Sequence, residues 1–162
     1  MRNKPVSALL LLTVALICVP PAFPKGPVDK IVIKGGGLAQ AIEVKDRATL
    51  KSFDPWGGQF IDWSKGPVAA PRDIATSYEV YFYMFWLPTD REMTLKYVIR
   101  YVPGSGDAPG YVYLPGRGEK WYSTNMGTIM RGDNDGRWHL ATGAWSVLVQ
   151  RLVTARGTSS DS

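Results

Sequence analysis

The stretch Ser77–Pro103, SYEVYFYMFWLPTDREMTLKYVIRYVP, decides the fold. Tyr78, Val80, Phe82, Met84 and Trp86 fall at every second position, and so do Met93, Leu95, Tyr97, Ile99 and Tyr101. That period belongs to a strand with one buried face. Pro88-Thr89-Asp90-Arg91 separates the two runs and supplies turn-forming residues. A tight turn centred on Thr89-Asp90 sets Trp86 opposite Met93, Met84 opposite Leu95, Phe82 opposite Tyr97, Val80 opposite Ile99 and Tyr78 opposite Tyr101. The other face then pairs Glu79 with Arg100 and Tyr83 with Lys96. A slip of one residue in either strand would send every apolar side chain to the wrong face, so the pattern predicts an antiparallel hairpin in this register.

The flanks extend the sheet. Lys30–Lys34 (KIVIK) predicts a β-branched strand, and Gly35-Gly36-Gly37 a turn or bulge behind it. Leu38–Lys45 alternates and can pair with that strand as a hairpin. Asp46 reads as an N-cap for a short helix over Arg47–Phe53, stopped by Asp54-Pro55. Trp56–Pro71 is rich in Gly, Pro and Trp and reads as an ordered loop. Gly104–Gly110 is a second loop, and Tyr111–Leu114 a third strand beside the hairpin. Lys120–Ser123 and Thr128–Met130 are further strand candidates. Trp145, Leu148, Val149, Leu152 and Val153 share one helix face, with Thr142 as cap and Gly157 as stop. Such a helix would cover the apolar face of the sheet. The expected class is α+β: an antiparallel sheet around the hairpin at 77–103, a short N-terminal helix and a C-terminal helix packed on the sheet.

The chain has 162 residues, of which 45% are hydrophobic, with 17 Gly and 12 Pro. That suits one well-packed domain with many turns and excludes a TIM barrel or a two-domain dinucleotide enzyme. The segment at 1–22 has secretory anatomy: Arg2 and Lys4, an apolar run from Val6 to Val19, then Pro20-Pro21-Ala22. The apolar run is shorter than the roughly 20 residues that span a bilayer. The expected layout is a signal peptide at 1–22, one α+β domain at 26–156 and a disordered tail at 157–162. Export to the periplasm, cell surface or medium follows, with an uncleaved anchor or a lipoprotein as the alternatives. The membrane enters only through that N-terminal segment. Cys18 is the one cysteine and lies inside it, so the remaining chain carries no disulfide. Loss of Arg2 and Lys4 lowers the net charge from +5 to about +3. With no Lys/Arg cluster, a nucleic-acid partner is not expected.

No motif announces a reaction. Gly35-Gly36-Gly37 lacks the third glycine of a dinucleotide fingerprint, since position 40 is Gln40. Arg131-Gly132-Asp133-Asn134-Asp135-Gly136 puts a cation at the first calcium-ligand position and reads as a polar turn. His139 is the one histidine and cannot make a multi-histidine zinc site. No metal and no cofactor is expected. The carboxylates Asp54, Asp62, Glu79, Asp133 and Asp135 have no spacing that pairs two of them, and Glu79 faces Arg100. These absences favour a binding or surface-interaction module over an enzyme. Its candidate ligand-binding residues are Tyr81, Tyr83 and Phe85, the alternating row on the hairpin face opposite the core. A second core layer over that row is the competing structural reading. Trp56, Trp63 and Trp121 either rim a groove or lock the loops to the core. The expected partner is a carbohydrate or an envelope or surface protein. The alternatives are a small extracytoplasmic hydrolase using Asp133 or Asp135 with His139, and a structural envelope protein.

Overall fold

The computed structural model describes residues 26–85, 89–106 and 108–157. The segment at 1–22 read as a signal peptide, Trp86 with its pairing to Met93, and the tail beyond Gly157 lie outside the described residues. One antiparallel sheet of seven strands organises the rest, in the order β2-β1-β4-β5-β6-β7-β3. The strands are β1 (Lys30–Gly35), β2 (Ile42–Val44), β3 (Pro67–Val68), β4 (Tyr78–Met84), β5 (Thr94–Val102), β6 (Tyr111–Tyr113) and β7 (Trp138–Leu140). The helices are α1 (Arg47–Ser52), α2 (Tyr122–Met126) and α3 (Gly143–Gly157). No described helix is long and apolar enough to cross a membrane.

The hairpin forms from β4 and β5. Tyr78, Glu79, Val80, Tyr81 and Phe82 pair with Tyr101, Arg100, Ile99, Val98 and Tyr97, as the alternation predicts. The register then shifts. Tyr83 faces Leu95 and Met84 faces Thr94, across a bulge at Phe82/Tyr83. The expected pairs Met84–Leu95 and Tyr83–Lys96 are therefore corrected. The extra residue turns Leu95 to the second sheet face, where it packs against Val32, Tyr81 and Val98. It also leaves the Lys96 carbonyl to accept from the Thr128 hydroxyl. Burial of Leu95 and a bonded carbonyl offset the interrupted ladder.

The first sheet face carries the main core. Ile31, Ile33, Val80, Phe82, Ile99 and Tyr101 lie on it, buried beneath α1, the loop at 54–63 and α3. Asp46 caps α1, its carboxylate accepting from the Thr49 amide at 2.9 Å. Thr142 caps α3, its hydroxyl accepting from the Trp145 amide at 3.3 Å. Trp145 and Val149 are buried and Leu148, Leu152 and Val153 are packed beside them, so the expected helix face is the one that covers the sheet. Trp56 and Trp63 tie the loop down by donating to the Gly26 and Gly58 carbonyls, both at 3.1 Å.

Two other expectations change. Pairing of β2 begins at Ile42 rather than Leu38, because Gly35, Gly36 and Gly37 all take positive φ and carry the chain round first. At Gly36 (φ +60°) a Cβ would lie 2.1 Å from the Tyr78 ring, so a side chain is excluded there. The strands proposed over Lys120–Ser123 and Thr128–Met130 are replaced by α2 and the turn that follows it. Trp121 and Asn125 stand one helical turn apart and both reach the sheet. A strand would have turned one of the intervening side chains into that space instead.

Candidate binding groove

The second sheet face holds a smaller apolar cluster of Val32, Tyr81 and Val98, with Tyr83, Leu95 and Trp121 packed against it. The row at Tyr81, Tyr83 and Phe85 lies along β4 and just beyond its end. Tyr81 is only 7% exposed. Its ring meets Trp121 edge-on at 5.6 Å, and the Lys34 ammonium sits 5.0 Å from its centre. Tyr83 is half-buried, with the Lys30 ammonium over its ring at 4.9 Å. Phe85 is half-buried and its amide donates to Asp29 at 3.0 Å. The three do not make one open platform: Trp121 covers the first, from α2 rather than from the N-terminal strands.

α2 is positioned by the edge of β5. Strand β6 pairs only with Arg100–Val102, so the outward N–H and C=O of Val98 lack a strand partner. The Asn125 side chain takes that place, accepting from the Val98 amide and donating to the Val98 carbonyl, both at 2.8 Å. Asn125 is 2% exposed and acts as a one-residue substitute for a strand. This anchor brings Trp121 and the preceding turn over the sheet.

A groove of about 300 Å³ opens between that turn and the sheet. Glu79, Arg100, Tyr113, Glu119, Lys120 and Trp121 line it. Glu79 accepts from the Tyr81 hydroxyl and from the Trp121 indole N–H, the latter at 3.1 Å. Its cross-strand neighbour Arg100 does not bond it. The Arg100 guanidinium lies over the Tyr113 ring at 5.8 Å. Burial pulls the Glu79 carboxyl upward, yet the Tyr81 and Trp121 bonds, with the Lys120 and Arg100 charges, outweigh it and hold it below the ordinary range. Glu119 is fixed on both oxygens, by the Tyr113 hydroxyl at 2.9 Å and the Gly116 amide at 2.6 Å. Burial and the Glu119 carboxylate push the Tyr113 hydroxyl up to about 12. The Glu79 carboxylate is thus an ionised acceptor at neutral pH. Lys120 covers Trp121 at 4.4 Å, and Trp138 stands 5.0 Å from Tyr113.

Four cations of this face lie against aromatic rings, at Lys30, Lys34, Arg100 and Lys120. The usual frequency is about one such contact per 70–80 residues. The concentration marks a surface where cations rest against rings.

The residues of the hydrolase alternative lie elsewhere. His139 is fully buried on the first face, its Nε2 3.2 Å from the Asn134 carbonyl and its ring 5.5 Å from Trp63. Burial lowers its pKa and keeps it neutral. Asp135 is half-buried and accepts from the Arg131 amide at 3.1 Å, while Asp133 is exposed. Desolvation raises the Asp135 carboxyl. Asp135 and His139 feel each other's charge, but Asp133 is exposed while His139 is fully buried. A wider depression of about 840 Å³ lies between the segments at 68–76 and 102–108, lined by Ala69, Ala70 and Gly104 together with Arg72, Asp73 and Tyr111.

Sequence reading named Trp121 as a possible groove rim but missed Tyr113, Glu119 and Lys120 beside it. The one available signal was the Tyr113–Glu119 spacing across a Gly-rich turn, which carries no recognisable motif. Comparison with protein-family models, curated proteins and solved structures finds no match to this chain.

Proposed function

We propose that this chain is an exported, non-enzymatic binding module that holds a carbohydrate in the groove of its second sheet face. The observation that carries the reading is the groove wall. Tyr113 and Trp121 supply ring surface, and each is hydrogen-bonded to a fixed carboxylate, Glu119 and Glu79. Sugars present apolar C–H faces and equatorial hydroxyls, so they need ring surface beside rigid polar groups. Pre-bonded side chains lose little conformational freedom when a ligand arrives. A protein partner fits less well. A stable interface covers about 800 Å² per partner around apolar anchors. The large exposed hydrophobics of the described residues, Ile74, Met130 and Val147, sit on three separate segments.

The test is a titration of the purified protein with a panel of soluble oligosaccharides, read by tryptophan fluorescence, since Trp121 lines the groove. At least one oligosaccharide is expected to shift the emission. Tyr113→Ala is expected to weaken that binding by about tenfold or more, the loss of one stacking and hydrogen-bonding side chain. No shift with any oligosaccharide, or binding untouched by Tyr113→Ala, overturns the assignment. Release of new reducing ends from the bound oligosaccharide overturns the non-enzymatic part. Export is tested separately, by the mass of the protein recovered outside the cytoplasm, which is expected to lack residues 1–22.

A further inference from the structure

We infer that the groove prefers acidic glycans, those bearing uronic acid carboxylates, over neutral ones; this rests on the groove being the carbohydrate site. The argument is which polar groups remain open. Each Glu79 oxygen and each Glu119 oxygen already accepts a hydrogen bond from the protein. The two cations of the groove are in the opposite condition. Among the described residues neither Arg100 nor Lys120 makes an ion pair, and each rests against a ring, Tyr113 and Trp121 respectively. Lys30, on the same sheet face but outside the groove, is already paired with Glu43 at 3.4 Å.

The open hydrogen-bonding capacity of the groove is therefore mostly donor capacity. It sits on a guanidinium and an ammonium that line the same walls. A ring beneath a cation removes water from one side and leaves its N–H edge facing outward. The planar fork of Arg100 matches the two oxygens of a carboxylate, which a hydroxyl cannot do. Lys120 adds a second charge on the wall formed by Trp121. A neutral sugar would leave both cations with only the through-space field of Glu79 and no direct partner. A uronate residue places its carboxylate against Arg100 and keeps its ring for Tyr113.

The experiment is calorimetric titration of the purified protein with a galacturonic acid oligosaccharide and with a neutral galactose oligosaccharide of equal length. The acidic ligand is expected to bind about tenfold or more tightly than the neutral one, the scale of one charge-assisted hydrogen bond. Its affinity is expected to fall as salt rises from about 50 mM to about 300 mM, whereas that of the neutral ligand stays level. Arg100→Gln is expected to abolish the preference by weakening the acidic ligand far more than the neutral one, and Arg100→Lys to restore part of it. Arg100 is exposed, so neither variant threatens the core. Equal affinity for the two ligands, or an Arg100→Gln loss of the same size for both, overturns the inference and leaves the carbohydrate site standing. Binding of neither ligand, with no other oligosaccharide of the panel binding either, overturns both.

Discussion

On the first sheet face aromatic rings close on one another. Trp145 stands 5.2 Å from Phe53, 5.9 Å from Phe60 and 6.2 Å from Tyr101. On the second face rings also meet, Tyr81 with Trp121 and Tyr113 with Trp138, but they meet cations and carboxylates as well: Arg100 over Tyr113, Lys120 over Trp121, Glu79 on Tyr81 and Trp121. The same residue types do two jobs. Ring against ring excludes water and leaves a buried polar atom stranded, as at the Trp145 indole N–H, which has no partner among the described residues. Ring against charge keeps the surface wet, bonded and open to a ligand. Aromatic content therefore does not separate core from site in this chain.

Three experiments probe the two faces separately. The largest effect is expected at Trp145, which is 1% exposed at the centre of the closed face. Trp145→Ala removes three ring contacts and opens a cavity, and a loss of about 3–5 kcal/mol in urea unfolding is expected. Asn125 comes next. Asn125→Ala leaves the Val98 N–H and C=O without a partner beneath α2, at a cost of about 2–4 kcal/mol. Because Asn125 also anchors Trp121 over the sheet, this variant is expected to weaken the groove as well as the fold. Trp145→Ala at a temperature where it stays folded should leave the groove intact. Equal effects of both variants on ligand binding would erase the distinction between the faces.

The smallest effect is a pH dependence confined to the closed face. Burial lowers the folded pKa of His139 below its ordinary 6.5. The unfolded chain then binds the proton more readily than the folded one. The stability that neutral His139 contributes is complete above that value and is lost as pH falls below it. Asp135 acts in the opposite sense nearer its own ordinary 3.8, because its carboxyl is raised. The His139 slope is thus read between neutral and mildly acidic pH. Thermal midpoints of the parent are expected to fall across that range more steeply than those of His139→Gln. Parallel slopes would show that His139 is not held neutral by its surroundings.

The β4–β5 pairing from Tyr78–Tyr101 to Phe82–Tyr97 was legible because both strands alternate and one turn fixes their register. The α3 face was legible for the same reason at helical period. The bulge was not. Whether Leu95 faces Met84 or Tyr83 depends on Val32 and Trp121, which come from distant segments. The fate of Tyr81 was equally hidden, since its cover, Trp121, caps a five-residue helix in a segment whose sequence reads as a short strand. Glu79 looked paired with Arg100 across the strands, and the register is right. Yet a tyrosine two residues away and an indole from α2 reach the carboxylate, and Arg100 turns to Tyr113. Local periodicity fixes which face a side chain occupies. It does not say what lies over that face.

The Asn125 amide has a consequence for how copies of this chain meet. A strand with an open N–H and C=O is a template on which another chain can add its own strand, and aggregation begins at such places. The outermost strands here offer little: β2 has three residues and β3 has two. The nine-residue β5 would have been the exception, since β6 runs beside only its last part. A single carboxamide, with the Thr128 hydroxyl bonded to the Lys96 carbonyl next to it, fills that gap from within the chain. The longest strand of the sheet is thereby denied to strangers by two side chains rather than by a neighbouring strand.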